Sequence, residues 1–436
     1  MSDGATRPRG DFFAEMQWRG FVQQCTNEAA LRELLAREVV TGYIGFDPTA
    51  DSLHIGSLLP IMGLVQLQRH GHRPIAIVGG GTALVGDPTG RTEMRSVLTL
   101  EQIAENLRGL REQIGRFLRF GGGPSDALML DNAEWLASWR YVDFLREIGR
   151  HFKINEMIKH DSVKLRLEQE QGLSFLEFNY MLLQAYDFLE LYQRHGCRLQ
   201  MGGRDQWGNI CAGVDLTRTV ARAEVYGVTF PLLELSSGAK MGKSAAGAVW
   251  LDARRTSPYD FYQWWVNVGD HQVSSLLRVY TLLPRDEIER LERLQGADLR
   301  EAKRVLAHEV TTLVHGEAEA RQAAAAAAAL FGGGAGAGAG AGAGSGAGAD
   351  AAAGIPSSAR PASDFAGDGL PLLDVLVTAG LAPSKGRARD LVRQGGVRVN
   401  GDVVKDELLR LTAAHVRDGL VALQVGKKAH HHIRVG

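Results

Sequence analysis

His54 and Gly56 stand two residues apart, where an apolar stretch ending at Phe46 gives way to a Pro/Asp turn and then to a long apolar run. The pattern predicts a strand end over 42–46, a polar turn, and a helix from about Ile55 to His70. Unpaired N–H groups and the positive end of the helix dipole then face whatever lies beyond the helix start. That arrangement suits a phosphate, and glycine lets a ligand come close to the backbone. Far downstream, Lys240-Met241-Gly242-Lys243-Ser244 puts two cations in a glycine-containing loop. Taken singly, each feature has an ordinary explanation: His-x-Gly arises by chance, and a lysine-rich loop is usually just solvated. Together, and in this order, they point to nucleotide chemistry.

A third group lies on the helix expected over 175–187. Tyr180, Gln184 and Asp187 fall at i, i+4 and i+7 and share one face. Polar groups on an otherwise apolar helix are costly to bury without partners, so they read as the lining of a pocket, with a solvated face as the alternative. Cys197–Asn209 reads as a strand breaking into Gly202-Gly203, followed by Asp205, whose carboxylate can accept from both hydroxyls of a ribose. The glycine-rich stretch 79–90 lacks the Gly-Lys-Ser/Thr finish of a P-loop.

The elements that must position these groups alternate along the chain. Short buried strands over 42–46 and 72–80 alternate with helices, which argues a parallel sheet with ligands at the carboxyl ends of its strands. Asp47, His54 and Asp87 all fall at or just beyond such ends. Residues 8–40 read as amphipathic helix with Leu31, Leu34 and Leu35 at helical spacing. Residues 124–175, with Trp135, Trp139, Phe144 and Phe152, read as an insertion between the sheet halves, either a subunit interface or ordinary core.

The 436 residues allow two or three domains, and 49 Lys+Arg against 50 Asp+Glu give a net charge of −1, so any polyanion partner must be met by local charge. Cys25, Cys197 and Cys211 show no metal or disulfide spacing, which favours a reducing compartment. No apolar run is long enough for a membrane helix and no signal peptide is visible, so a cytoplasmic, membrane-free location is expected. Residues 332–354 are almost wholly Gly and Ala, the composition of a flexible tether. From 381 to 436 there are eleven Lys+Arg and five Asp+Glu, with Lys385, Arg387, Arg389 and Arg393 on one short helix. Such clustering is the footprint of nucleic-acid binding, weighed against plain solvated surface. His430-His431-His432 has no assignment from sequence.

The stretches Tyr43–Gly56, Gly79–Gly90, Tyr180–Asp187 and Gly202–Asn209, with the lysine loop, resemble the bacterial tyrosyl-tRNA synthetases of class I. The first and last of these carry the HIGH and KMSKS signatures of that class. The resemblance runs from about residue 20 to the C-terminus except for the Gly/Ala segment. It implies an α/β fold: a Rossmann-like parallel-sheet catalytic domain over 1–235 with the insertion at about 124–175. A mobile KMSKS-type loop and connector follow over 236–257, then a helical anticodon-binding-type domain over 258–331. A flexible linker over 332–368 leads to a small α+β S4-like RNA-binding domain over 369–436.

By the same resemblance, Tyr43 and Asp187 hold a tyrosine phenol, Asp87, Tyr180 and Gln184 its ammonium group, and Gln206 lies near its carboxyl. Gly45, Asp47, Gly203 and Asp205 match the adenylate side. His54, Gly56, Lys240, Lys243 and Ser244 match the catalytic signatures, and Arg91 and Arg95 the pyrophosphate side. The implied activity is tyrosine–tRNA ligation: L-tyrosine and ATP give tyrosyl-adenylate, and tyrosine then passes to tRNA(Tyr). ATP is expected with Mg²⁺, with no protein-ligated metal or prosthetic group, in a homodimer. Ser57 stands where the signature usually has histidine, and Gly242 where the loop usually has serine. Three rivals remain open on residues alone. A tryptophan-type enzyme shares the signatures, although an indole offers a donor and no acceptor. An RNA-binding scaffold without activity would not need His54 and the lysines, and a small-molecule nucleotidyltransferase would not need the basic tail.

Overall fold

The computed structural model describes residues 10–89, 98–160, 163, 164, 167, 172–232, 243, 244, 247–331, 355–426 and 429–436; Lys243, Ser244, Gly247, Leu330 and Phe331 are described through their backbone alone. The described chain falls into two compact units. The first holds residues up to 243, Ala248–Asp252 and Gly269–Glu292; the second holds Ser244–Gly247, Ala253–Val268 and Arg293–Gly436.

The first unit is built on a six-stranded sheet of β1 (Gln24–Cys25), β2 (Thr41–Phe46), β3 (Arg73–Val78), β4 (Leu128–Asp131), β5 (Cys197–Gly203) and β6 (Tyr226–Phe230). Its order is β1-β6-β5-β2-β3-β4, parallel except for the β1 edge. β3 and β6 are buried along nearly their whole length, as strands are when helices cover both faces of a parallel sheet. The chain fills β3 and β4 on one side of β2 and returns to β5 and β6 on the other. The order therefore reverses between β2 and β5, and the crevice at their carboxyl ends is where such a sheet binds its ligand.

Two sequence expectations change here. Residues 8–40 are not one helix but two, α1 (Phe12–Arg19) and α2 (Glu28–Arg37). Gly20 ends α1 at φ 86°, and the Asn27 side chain starts α2 by accepting from Ala30 N, while the residues between supply β1. The stretch 124–175 is not wholly an insertion, because Leu128–Asp131 pairs in parallel with β3 and completes the sheet. Four apolar residues in a row, Ala127-Leu128-Met129-Leu130, make too short a run to mark a strand.

The helix expected at the histidine–glycine junction is α3 (Ile55–Arg69). The sequence groups 258–331 as one helical domain, whereas Gly269–Glu292 cluster with the sheet unit. The cause lies partly at α1: the buried Arg19 guanidinium donates to the carbonyls of Arg278, Thr281 and Leu283 at 2.7, 2.9 and 3.0 Å, satisfying a helix C-terminus.

In the second unit the helix Pro258–Val266 packs with the helices Leu299–His315 and Glu317–Phe331. Residues 355–436 form a small α+β module with its own core, including Leu376, Val392, Leu423 and Ile433, and a five-stranded sheet. The module begins earlier than the sequence suggested. Ser357–Arg360 is a strand parallel to Ala429–Val435, and Ile355 and Phe365 are buried, so 355–368 is not linker. A Ser-Ser-Ala-Arg strand contributes backbone rather than apolar side chains, and so carries no hydrophobic signal. The histidine triplet lies on the partner strand; His431 and His432 are buried, burial lowers both pKa values, and His431 Nε2 lies 3.0 Å from Ser358 Oγ. The Gly/Ala stretch 332–354 lies outside the described residues.

Candidate active site

A cavity of about 180 Å³ opens at the carboxyl ends of β2 and β5, at the reversal of strand order. Among the buried polar groups that line it are Tyr43 on β2 and Asp187 on the helix α4 (Tyr180–His195). Asp187 is 4% exposed; its Oδ1 accepts from Trp135 Nε1 at 2.7 Å and its Oδ2 from Asn132 Nδ2 at 3.0 Å. Burial lifts the carboxyl pKa from 3.8 to about 7; the bonds from Asn132 and Trp135 oppose the lift, and the charges of Asp47 and Glu190 add to it. Tyr43 is 2% exposed and its hydroxyl has no hydrogen-bond partner among the described residues. Burial, then the Asp187 charge, pushes its pKa well up, so it is a neutral phenol. A carboxylate with acceptor capacity left and a hydroxyl with its own capacity unused can together take a ligand hydroxyl, which donates to one and accepts from the other.

Nearer the mouth the lining is rich in acceptors. Asp87 Oδ1 accepts from Thr89 N at 2.9 Å and Oδ2 from Gln206 Nε2 at 2.7 Å. Asn209 Nδ2 donates to Gln184 Oε1 and to Gln206 Oε1, each at 3.1 Å, and the Tyr180 hydroxyl lies 3.5 Å from both carboxylate oxygens of Asp47. A carboxylate, an amide oxygen and a phenol oxygen converging on one wall suit a primary ammonium group. The wall is tied to the bottom. Asn132 Nδ2 also donates to Thr82 Oγ1 at 3.0 Å, Gly81 N donates to Asn132 Oδ1 at 2.8 Å, and Thr82 Oγ1 lies 3.5 Å from Asp47. A Cβ at Gly79 would collide with Thr82 Oγ1 and crowd Asp47, so only glycine fits there.

Outside the cavity lining, His54 is the N-cap of α3, and its Nδ1 accepts from Gly56 N at 3.0 Å. A ring that accepts at Nδ1 is neutral and carries its proton on Nε2, so Nε2–H is a donor. The ring meets Trp250 edge-on at 6.2 Å. Gly45 and Gly203 line the cavity, while Asp205 sits in the short turn of helix after β5.

The structure thus brings Tyr43, Gly45, Asp47, Asp87, Tyr180, Gln184, Asp187, Gly203 and Gln206 to one cavity. His54, Gly56 and Asp205 are not among its lining residues. Arg91, Arg95 and Lys240 lie outside the described residues, and Lys243 and Ser244 are described only as extended backbone. On the helix Lys385–Arg393, Lys385 pairs with Asp374 at 2.6 Å and Arg393 with Glu407 at 2.9 Å, Arg389 lying 3.5 Å from the same Glu407. Part of the basic excess is therefore neutralised locally. Asn132, Trp135, Thr82 and Gln200 belong to the site and were not expected from sequence. The available signal was the polar Asp131-Asn132 at the end of Leu128-Met129-Leu130, the place where a parallel strand presents ligands.

Comparison with known proteins places this geometry. Residues 36–332 match the family model described as tRNA synthetases class I (W and Y), and residues 370–413 match the S4 domain. The chain is 51% identical over 422 residues to the tyrosine–tRNA ligase of Desulfosudis oleivorans, covering 96% of this chain and 97% of that one. It is 49% identical over 427 residues to that of Rhizobium meliloti, covering 98% and 99%. Among solved structures, a C-terminally truncated mitochondrial tyrosyl-tRNA synthetase from Aspergillus nidulans superposes with a TM-score of 0.67 at 30% identity, covering 74% of this chain and 95% of that one. The chain belongs to the class I tRNA synthetases of the tryptophan and tyrosine type, and within them to the tyrosine–tRNA ligases.

Proposed function

We propose that the cavity seats L-tyrosine with its phenol between Tyr43 and Asp187 and its ammonium group against Asp87, Tyr180 and Gln184. The enzyme is a tyrosine–tRNA ligase: tyrosine and ATP give tyrosyl-adenylate and pyrophosphate, and tyrosine then passes to the 3′ end of its tRNA. The tyrosine carboxylate, near Gln206, attacks the α-phosphorus of ATP, and pyrophosphate leaves in line. A ribose hydroxyl of the tRNA next attacks the adenylate carbonyl and AMP leaves. Neither step needs covalent help from the protein, so catalysis is positioning plus stabilisation of developing charge. His54 donates through Nε2–H to the phosphates; Lys240, Lys243 and Ser244 with Arg91 and Arg95 serve the leaving pyrophosphate; Gly45, Gly56, Gly203 and Asp205 take the nucleotide. Mg²⁺ arrives on the ATP phosphates, where it offsets their charge.

The basic helix with Lys385, Arg387, Arg389 and Arg393 contributes to tRNA binding. Tyr141, Val142, Ile154 and Phe175 are each more than half exposed, and that apolar surface supports a homodimer formed through this stretch. Among the described residues no helix is long and apolar enough to cross a membrane, and a cytoplasmic location fits an enzyme that meets tRNA.

One observation carries the substrate reading: a buried carboxylate beside a buried hydroxyl with no partner, which suits a phenol and not an indole. ATP–pyrophosphate exchange measured with tyrosine, tryptophan and phenylalanine tests it. Exchange with tyrosine alone is expected, from a preparation that sediments as a dimer. Exchange with tryptophan would sink the phenol assignment, and a monomeric active species would sink the dimer.

A further inference from the structure

Away from the cavity, the first unit buries a polar junction joining three distant pieces of chain. Gln113, at the end of the helix Leu100–Ile114, is 5% exposed, and Ser52, in the turn before His54, is 4% exposed. Gln113 Oε1 accepts from Leu53 N at 2.9 Å, and Gln113 Nε2 donates to Ser52 Oγ at 3.2 Å. Ser52 Oγ donates to the Leu53 carbonyl at 2.8 Å and accepts from Asp252 N at 3.3 Å. One donor and two acceptor positions are all a hydroxyl has, so Ser52 is fully used. The helix presses on the turn so closely that a Cβ at Gly109 would collide with the Asp51 carbonyl.

This junction grips His54 from both sides. Leu53 is held by Gln113 through its N–H and accepts at its carbonyl from Leu251 N at 2.8 Å, while Ile55 N donates to Val249 O at 3.0 Å. Trp250, between those two anchor residues, meets the His54 ring. An apolar plug would fill the same space without the cost of burying an amide and a hydroxyl. A hydrogen-bonded polar junction adds directionality, because its bonds hold in one register only.

We infer that Gln113 and Ser52 are positioning residues for tyrosine activation: they hold His54 and the segment Val249–Asp252 in the one mutual register in which His54 meets the phosphates of the transition state. The inference rests on the assignment of His54 to the phosphate end of ATP. Neither residue touches the tyrosine cavity, so their effect falls on the rate of activation and not on tyrosine binding.

The test uses the full chain carrying Gln113→Met, Ser52→Ala, His54→Ala and each of the first two combined with the third. Pyrophosphate exchange gives kcat, and equilibrium titration with tyrosine in the absence of ATP gives its affinity. Gln113→Met and Ser52→Ala each lower kcat by about tenfold, a loss typical of misplaced reacting groups. Tyrosine affinity stays at the parent value, and neither change lowers kcat further once His54 is alanine. Parent kcat in both variants overturns the inference, as does a loss that adds in full to that of His54→Ala. A loss that tracks weakened tyrosine binding makes the junction merely structural and overturns it too. If His54→Ala alone leaves kcat unchanged, the phosphate assignment fails, and that failure is visible separately. Should Gln113→Met fold poorly, Ser52→Ala carries the test, since it removes only one oxygen.

Discussion

The two ends of the site are made in different ways. The end proposed to hold tyrosine is built of side chains sunk out of water: Tyr43, Asp187, Asn132 and Trp135 are all buried, and the last three are joined by hydrogen bonds. The outer end is built of a helix start, glycines and a half-buried histidine, with the nearby chain held by backbone bonds to Val249 and Leu251. The difference fits what each is proposed to recognise. A phenol hydroxyl is the same in ground and transition states, so discrimination comes from burying groups that would be left unpaired by the wrong side chain. Phosphate charge shifts during reaction, so the outer groups gain only what they add in the transition state.

Asp187→Ala should have the largest effect. Two buried donors, Asn132 Nδ2 and Trp135 Nε1, lose this acceptor, and so does the phenol in the proposed binding mode. A lost bond to a charged group with partners stranded costs about 3–4 kcal/mol, so kcat/KM for tyrosine falls by about 10²–10³-fold. Steady-state exchange kinetics check it. A fall confined to kcat, with tyrosine KM unchanged, would show that the two ends are not separate in kind.

The pH dependence of tyrosine binding should be a smaller effect. Burial pushes the Asp187 pKa up to about 7 in the ligand-free site, and a phenol seated as proposed would donate best to its ionised form. Tyrosine should therefore bind about tenfold more weakly at pH 6 than at pH 8, the ratio set by the ionised fraction. Binding at pH 6 should also release a proton, measurable by calorimetry in buffers of different ionisation enthalpy. For the stability of the ligand-free fold the sign is opposite. The native carboxyl keeps its proton to higher pH than an unfolded one at 3.8, so its contribution is whole below that value and is lost as pH rises through about 7. A flat binding profile from pH 6 to 8 would remove Asp187 from the phenol site.

What the sequence made legible follows the same division. Tyr180, Gln184 and Asp187 could be read as one face because helical spacing is regular, and His54-x-Gly56 because a strand-to-helix junction announces itself through glycine, proline and the apolar run after it. Asn132 and Trp135 were not legible. They enter the site only because β4 pairs with β3 across fifty residues of chain, a tertiary fact with no local period. Ser357–Arg360 was read as linker for a related reason, since an edge strand that contributes backbone bonds leaves no pattern of apolar side chains. The sequence groups Gly269–Glu292 with the helical domain because nothing in it signals that this segment docks on Arg19.

Trp135→Phe asks how far the buried network tunes charge rather than shape. Phenylalanine keeps the aromatic wall and removes only the Nε1–H that Asp187 Oδ1 accepts at 2.7 Å. That bond is one of the two holding the Asp187 pKa down against burial, so losing it raises the pKa further. At pH 7 tyrosine affinity should weaken by about three- to tenfold, roughly 1 kcal/mol. The midpoint of the pH profile should move up with it. At pH 9, where the carboxylate is ionised in parent and variant alike, the gap should narrow, because the remaining difference is one hydrogen bond to a group that still has Asn132. A deficit of equal size at every pH would mean that Trp135 acts by shape alone, and that the charge at the bottom of the pocket is set by burial and Asn132 without it.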